Sequence, residues 1–229
     1  MSVVLVHGMG GSERTWEQVA PLLEASGHPV ASVRNALESL SGDVASTMRA
    51  IESLEPPVVL AGHSYGGAVI TNAGNHEAVV ALVYVAAFAP AEGETVQGIV
   101  NRFPMAAGSA YMERGAAGEW ITDLASPGYW SEIAWDLTPE QRESVLAETR
   151  WTADRVFTEP SGMPAWRRLP THYVVATEDR TLPPEIQELF AARMGAEVTR
   201  LPGSHYTPRV HAARVAAVIA GAAEAVMSR

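Results

Sequence analysis

The chain has 229 residues, 47% of them apolar and 18% charged, with a formal charge of −10. Such a length and composition suit one globular domain with a real core and room for an inserted subdomain. The negative charge would repel phosphate backbones, which argues against nucleic acid as a partner, and the absence of cysteine excludes disulfides, cysteine nucleophiles and cysteine-based metal sites.

Met1-Ser2 runs directly into an apolar strand pattern, with neither a basic stretch nor a small-residue cleavage site around it. No apolar run reaches the roughly 18 residues needed to span a bilayer. A soluble, cytosolic protein that does not engage a membrane is expected. Val3-Val4-Leu5-Val6 is apolar without alternation, as in a strand buried on both faces, and ends at His7-Gly8. Trp16, Val19, Ala20, Leu22 and Leu23 follow helical spacing up to a stop at Gly27. Pro29 to Val33 predicts a second strand. Asp43 is placed to cap a helix carrying Val44, Met48, Ile51 and Leu54, which Pro56-Pro57 ends.

Val58-Val59-Leu60-Ala61 predicts a third strand that meets Gly62-His63-Ser64-Tyr65-Gly66-Gly67, and Ala68, Val69, Ile70 and Ala73 continue as a helix. Val79 to Ala86 predicts a fourth strand. Tyr173 to Ala176 predicts another, with a helix starting at Pro183-Pro184. Glu197 to Leu201 predicts the last strand, and Val210 to Met227 a closing alanine-rich helix. Alternation of this kind implies a parallel sheet with helices on both faces. The pattern breaks between 91 and 168, where five of the six tryptophans lie and no strand is convincing. The expected organisation is a core formed by 1–90 and 169–229, with 91–168 as a mainly helical cap. Ordinary crossover helices are the alternative.

Gly62-His63-Ser64-Tyr65-Gly66 fits G-x-S-x-G between a buried strand and a helix, the setting of a nucleophile elbow. Such a turn strains the serine backbone, and side chains two positions either side would collide, hence the glycines. A serine hydroxyl needs a base at neutral pH. Of seven histidines, His205 follows a strand and the loop Pro202-Gly203-Ser204, at the sheet edge where the elbow lies. His7 reads as shaping its own loop, His63 as pointing away, His28 and His76 as turn residues, His172 as opening a strand and His211 as a helix residue. Asp179, after the strand ending at Ala176, is the expected orienting acid, with Glu178 as its competitor. Two backbone N–H groups would bind a developing oxyanion: that of Tyr65, next to the serine, and that of Met9 in His7-Gly8-Met9-Gly10-Gly11.

Val4-Leu5-Val6-His7-Gly8, Trp16, Pro21 to Val30, the elbow, Tyr84 to Pro90 and Thr177-Glu178-Asp179-Arg180 together resemble the plant methylesterase and hydroxynitrile lyase group and its bacterial esterase relatives. The resemblance covers nearly the whole chain outside 91–168. It implies an α/β-hydrolase fold, here with a mostly parallel sheet of about six strands. It also implies an acyl-enzyme mechanism on small esters, with no cofactor and no metal. Ser64 would attack, His205 would carry the proton and Asp179 would orient His205. The lyase branch is known for a threonine in the first loop and a lysine after the histidine. Gly8 and Tyr206 stand there instead, which favours hydrolysis. The expected substrate is a small, fairly apolar ester or lactone, its pocket drawing on the tryptophans and on Met105, Met112 and Met163. Lyase or carbon–carbon hydrolase chemistry and a small-molecule receptor are the alternatives. The sequence leaves the oligomeric state open, a homodimer included.

Overall fold

The computed structural model describes residues 1–227. In chain order the elements are β1 (Ser2–Val6), α1 (Ala20–Ala25), β2 (Val30–Val33), α2 (Leu40–Glu52), β3 (Val58–His63), α3 (Gly66–Ala73) and β4 (Val79–Val85). There follow α4 (Val96–Val100), β5 (Met112–Arg114), β6 (Trp120–Thr122), α5 (Pro127–Glu132), α6 (Pro139–Glu148) and α7 (Arg155–Thr158). The chain closes with β7 (Thr171–Ala176), α8 (Pro184–Met194), β8 (Glu197–Leu201), α9 (Thr207–Val210) and α10 (Ala212–Met227). Among the described residues no helix is long and apolar enough to cross a membrane.

Six strands form one sheet in the order β2-β1-β3-β4-β7-β8, every pair parallel. The four inner strands are buried except for the partly exposed Val80 of β4, while β2 and β8, at the edges, are more exposed. Alternate residues feed two cores. Val4, Val6, Leu60, Tyr84 and Tyr173 pack with Val69, Ile70 and Phe190 on the face covered by α2, α3 and α8. Val3, Leu5, Val59, Val83 and Val174 pack with Trp16, Leu23, Val215 and Ile219 on the α1 and α10 face. From β1 the chain steps outward to β2, then returns past β1 to β3. The strand order therefore reverses between β1 and β3, and the loops leaving those two strands open a crevice at their C-terminal ends.

Several local expectations change. Trp16 ends a short 3-10 turn, Glu13–Trp16, ahead of α1. The cap of α2 is Ser39, whose hydroxyl accepts the Gly42 N–H; Asp43 lies one turn inside, fully buried. It accepts the Leu37 N–H at 3.1 Å and the Tyr65 hydroxyl at 2.9 Å, so its carboxylate ties α2 to the elbow rather than capping the helix. The closing helix is two helices, broken at His211, whose ring lies 2.5 Å from the Pro202 carbonyl. Segment 91–168 does contain strands: β5 and β6 pair antiparallel as a small hairpin. That segment has its own apolar cluster around Tyr129, Ile133 and Val145, and it also lends Val96, Ile99, Val156 and Ala165 to the main core.

Candidate active site

Ser64 sits where β3 turns into α3, with φ 55°, in the left-handed region that costs a non-glycine residue about 1–3 kcal/mol. The surrounding glycines make that turn possible. A Cβ on Gly62 would lie 2.5 Å from the Gly66 carbonyl oxygen, and one on Gly66 would collide with the Val6 carbonyl. The turn lifts the Ser64 hydroxyl to the C-terminal edge of the sheet, beside the loop after β1. His205 reaches the same point from the loop after β8. Its Nε2 lies 2.8 Å from Ser64 Oγ, and its Nδ1 lies 2.6 Å from Asp179 Oδ2. The three side chains named from sequence thus form one buried hydrogen-bonded chain.

Asp179 is fixed from several directions. Its Oδ1 accepts the N–H groups of Thr181 (2.8 Å) and Leu182 (2.9 Å), and its Oδ2 accepts the Gln187 amide at 2.9 Å besides His205. Gln187, fully buried on α8, also donates to the Leu182 carbonyl at 2.7 Å and accepts the Ala176 N–H at 3.0 Å. Glu178, the alternative acid, is exposed. His63 does point away from Ser64: its Nε2 donates to the His205 carbonyl at 2.8 Å and braces that loop. Burial, with the nearby His205 ring adding, holds the His63 pKa well below its usual value, so the ring is neutral.

His7 shapes its loop, as its position suggests. Its Nδ1 donates to the Gly8 carbonyl at 2.8 Å, while its Nε2 accepts the Asn35 N–H at 3.1 Å. Burial lowers its pKa to about 4, which keeps Nε2 free to accept. Two backbone N–H groups beside Ser64, those of Met9 and Tyr65, donate to no backbone carbonyl among the described residues. Tyr65 turns its phenol away, onto Asp43, and so offers the site only its backbone.

These groups open into a cavity of about 720 Å³ lined largely by apolar side chains, among them Met9, Phe88, Phe103, Phe157 and Leu182. Of the tryptophans in 91–168 only Trp120 lines it, with Met105 and Met112. Trp166 packs on the main core, Trp130 in the smaller cluster, and Trp135, Trp151 and Met163 are exposed. Besides His63 and His205, the lining carries one carboxylate and one guanidinium, Glu148 and Arg209, paired with each other at 2.5 Å; Arg209 also reaches Glu17 at 2.8 Å. The Tyr129 and Tyr206 hydroxyls lie 2.6 Å apart in the same wall. Among the described residues no three His, Asp or Glu side chains are arranged to hold a metal ion.

The sequence reading missed Gln187, Arg209 and Glu148. A glutamine in the middle of a helix, or a charged residue in a polar stretch, reads as solvent-facing until the partner that buries it is known.

A family model for the alpha/beta hydrolases matches residues 3–218. The chain belongs to the alpha/beta hydrolase family. Solved structures of the same fold include a pyrethroid hydrolase from Sphingobium faniae JZ-2, at 22% identity and TM-score 0.84, covering 100% of this chain and 99% of that one. Polyneuridine aldehyde esterase is similar at 19% identity and TM-score 0.80, over 96% and 98% of the two chains. A methylesterase from Arabidopsis is similar at 19% and 0.76, over 98% and 99%. These likenesses concern the fold, the six-stranded parallel sheet with its flanking helices. No curated protein matches the chain.

Proposed function

We propose that this alpha/beta hydrolase is a serine esterase acting on an uncharged, largely apolar carboxylic ester or lactone. The observation that carries the reading is the chain Ser64 Oγ to His205 Nε2 at 2.8 Å and His205 Nδ1 to Asp179 Oδ2 at 2.6 Å, opening on an apolar cavity. Ser64 attacks the ester carbonyl while His205 takes its proton through Nε2. Asp179 holds His205 with Nδ1 protonated and stabilises the imidazolium that forms. The carbonyl oxygen, now negative, is bound by the backbone N–H groups of Met9 and Tyr65. His205 passes its proton to the departing alkoxide, leaving an acyl group on Ser64. Water, deprotonated by His205, repeats the attack and frees the acid.

The lining supports the substrate class. Its one carboxylate and one guanidinium neutralise each other, so an ionised substrate would enter without a free carboxylate or guanidinium as counter-charge. The volume lies in the upper part of the roughly 300–1,000 Å³ spanned by small-molecule sites, leaving room on both sides of the carbonyl. Residues 91–168, as a cap, supply much of that wall. The hydrolase and esterase names borne by the fold's neighbours are in keeping with this chemistry. A net charge of −10 favours a small-molecule partner over nucleic acid.

The test is hydrolysis of a panel of p-nitrophenyl esters and lactones of rising acyl length by the wild type and by Ser64→Ala. The variant is expected to lose several orders of magnitude in kcat on every substrate, as deletions within a cooperating nucleophile–base unit do. Unchanged turnover by Ser64→Ala in pure protein refutes the assignment.

A further inference from the structure

The loop that carries the Met9 N–H holds itself only in part, through His7 Nδ1 on the Gly8 carbonyl and one backbone bond. Gly8, Gly10 and Gly11 surround Met9, Gly10 has φ +67°, and the loop's internal backbone bond is Gly11 N–H to Gly8 O at 3.3 Å. So glycine-rich a stretch has many accessible backbone conformations, and something outside it must choose one.

Residues 148–152, the last residue of α6 and the stretch after it, do so. The Arg150 N–H donates to the Gly10 carbonyl at 3.1 Å, and the Gly10 N–H donates to Thr152 Oγ1 at 3.0 Å, so both backbone groups of Gly10 are taken. The Arg150 side chain crosses the loop. Its Nε donates to the Gly11 carbonyl at 2.9 Å, and one Nη donates to the Asn35 carbonyl at 2.5 Å and to His7 Nε2 at 3.2 Å. Two residues before Arg150, Glu148 accepts the Ser12 N–H and hydroxyl. Neither Arg150 nor Thr152 lines the cavity, so neither touches the substrate directly.

We propose that Arg150, assisted by Thr152, is a positioning residue that aims the Met9 amide at the oxyanion and thereby makes transition-state stabilisation depend on the segment 148–152. The inference rests on the esterase reading above. A guanidinium suits the task because its planar fork gives several donors in fixed directions, and here it spans Gly11, Asn35 and His7 at once. Lysine has a single donor centre and cannot satisfy all three.

The test compares wild type, Arg150→Ala, Arg150→Lys and Thr152→Val. The readouts are kcat and KM for a p-nitrophenyl ester, and inhibition by a trifluoromethyl ketone and by the matching methyl ketone. The trifluoromethyl ketone adds Ser64 and places a negative oxygen at the oxyanion position; the methyl ketone reports ground-state binding. Arg150→Ala is expected to lower kcat on the order of 10- to 100-fold, short of or equal to removal of one donor, with KM within about 2-fold. Trifluoromethyl ketone affinity should fall by the same factor, methyl ketone affinity should hold, and free guanidinium should restore part of kcat in Arg150→Ala. Arg150→Lys should resemble Arg150→Ala.

Two results overturn the proposal: kcat and trifluoromethyl ketone affinity unchanged in a folded Arg150→Ala, or both ketones weakened equally, which marks a collapsed pocket. If Arg150→Ala does not fold, Thr152→Val decides. It removes one bond and keeps the shape, and the same kcat-only loss, several-fold, is expected; no loss overturns the proposal. Failure of the esterase reading is separate, since it appears as activity retained by Ser64→Ala.

Discussion

Replacing Gln187 by leucine roughly keeps the volume of a fully buried side chain and deletes its amide. The amide oxygen accepts the Ala176 N–H at the end of β7, and the amide nitrogen donates to the Leu182 carbonyl and to Asp179 Oδ2. With leucine, one N–H and one C=O lose these partners in the interior, at about 1–3 kcal/mol each. The loss of stability is therefore about 2–6 kcal/mol. At about 2–4 °C per kcal/mol for a chain of this size, the Tm falls on the order of 10 °C. Asp179 keeps three of its four contacts, those to Thr181, Leu182 and His205. Losing one hydrogen bond to a carboxylate, about 1.5–3 kcal/mol, should lower kcat by roughly ten- to a hundredfold. Thermal unfolding followed by circular dichroism, with kcat on a p-nitrophenyl ester, measures both. A Tm within 2 °C of wild type together with an unchanged kcat would show that the loop at 179–182 fixes Asp179 without α8, and the reasoning would fail.

Gly62→Ala puts a methyl 2.5 Å from the Gly66 carbonyl oxygen, a backbone atom that cannot rotate away. A loss of about 1–3 kcal/mol or more is expected, with slower labelling of Ser64 by a fluorophosphonate; labelling at the wild-type rate contradicts the account of the elbow. His7 gives a pH dependence. The unfolded chain takes up its proton near pH 6.5, whereas the folded chain resists until about pH 4. The unfolded state thus holds the extra proton between those values. Stability is complete above pH 6.5 and falls as pH drops toward 4, by about 3 kcal/mol in all. Urea unfolding of wild type and His7→Asn at pH 7 and pH 4.5 should show the steeper decline in wild type, and equal slopes would discount it.

The sheet was readable because its inner strands are buried on both faces and so carry unbroken apolar runs, as in Val3 to Val6 and Val79 to Val85. The three side chains that meet at the elbow were readable as candidates because strand ends, glycine spacing and chain order single out Ser64, Asp179 and His205. What escaped depends on distant partners. The hairpin of β5 and β6 is three residues a side, with Glu113 and Arg114 exposed, too short and polar for a strand signal. Ser39 and Asp43 are both good capping residues four positions apart, and the Leu37 N–H and the distant Tyr65 hydroxyl hold Asp43 inside. The break after α9 falls at His211, whose ring meets the Pro202 carbonyl, a contact that no local pattern reveals. Arg209, placed two residues into that short helix, is buried only because Glu17, Ser144 and Glu148 meet it there.

The self-neutralised wall of the cavity bears on the end of the reaction as well as its beginning. Ester cleavage turns a neutral guest into an acid that ionises at neutral pH. The Arg209 guanidinium is already held by Glu148 and Glu17, and the protein as a whole is negative. The newborn carboxylate therefore meets a largely apolar surface with no free guanidinium to retain it and a field that pushes it toward water. Turnover would gain a direction: entry favours the uncharged form and departure the charged one. The free acid should accordingly inhibit far more weakly than a neutral amide of the same shape, and comparable inhibition constants for the two would contradict it.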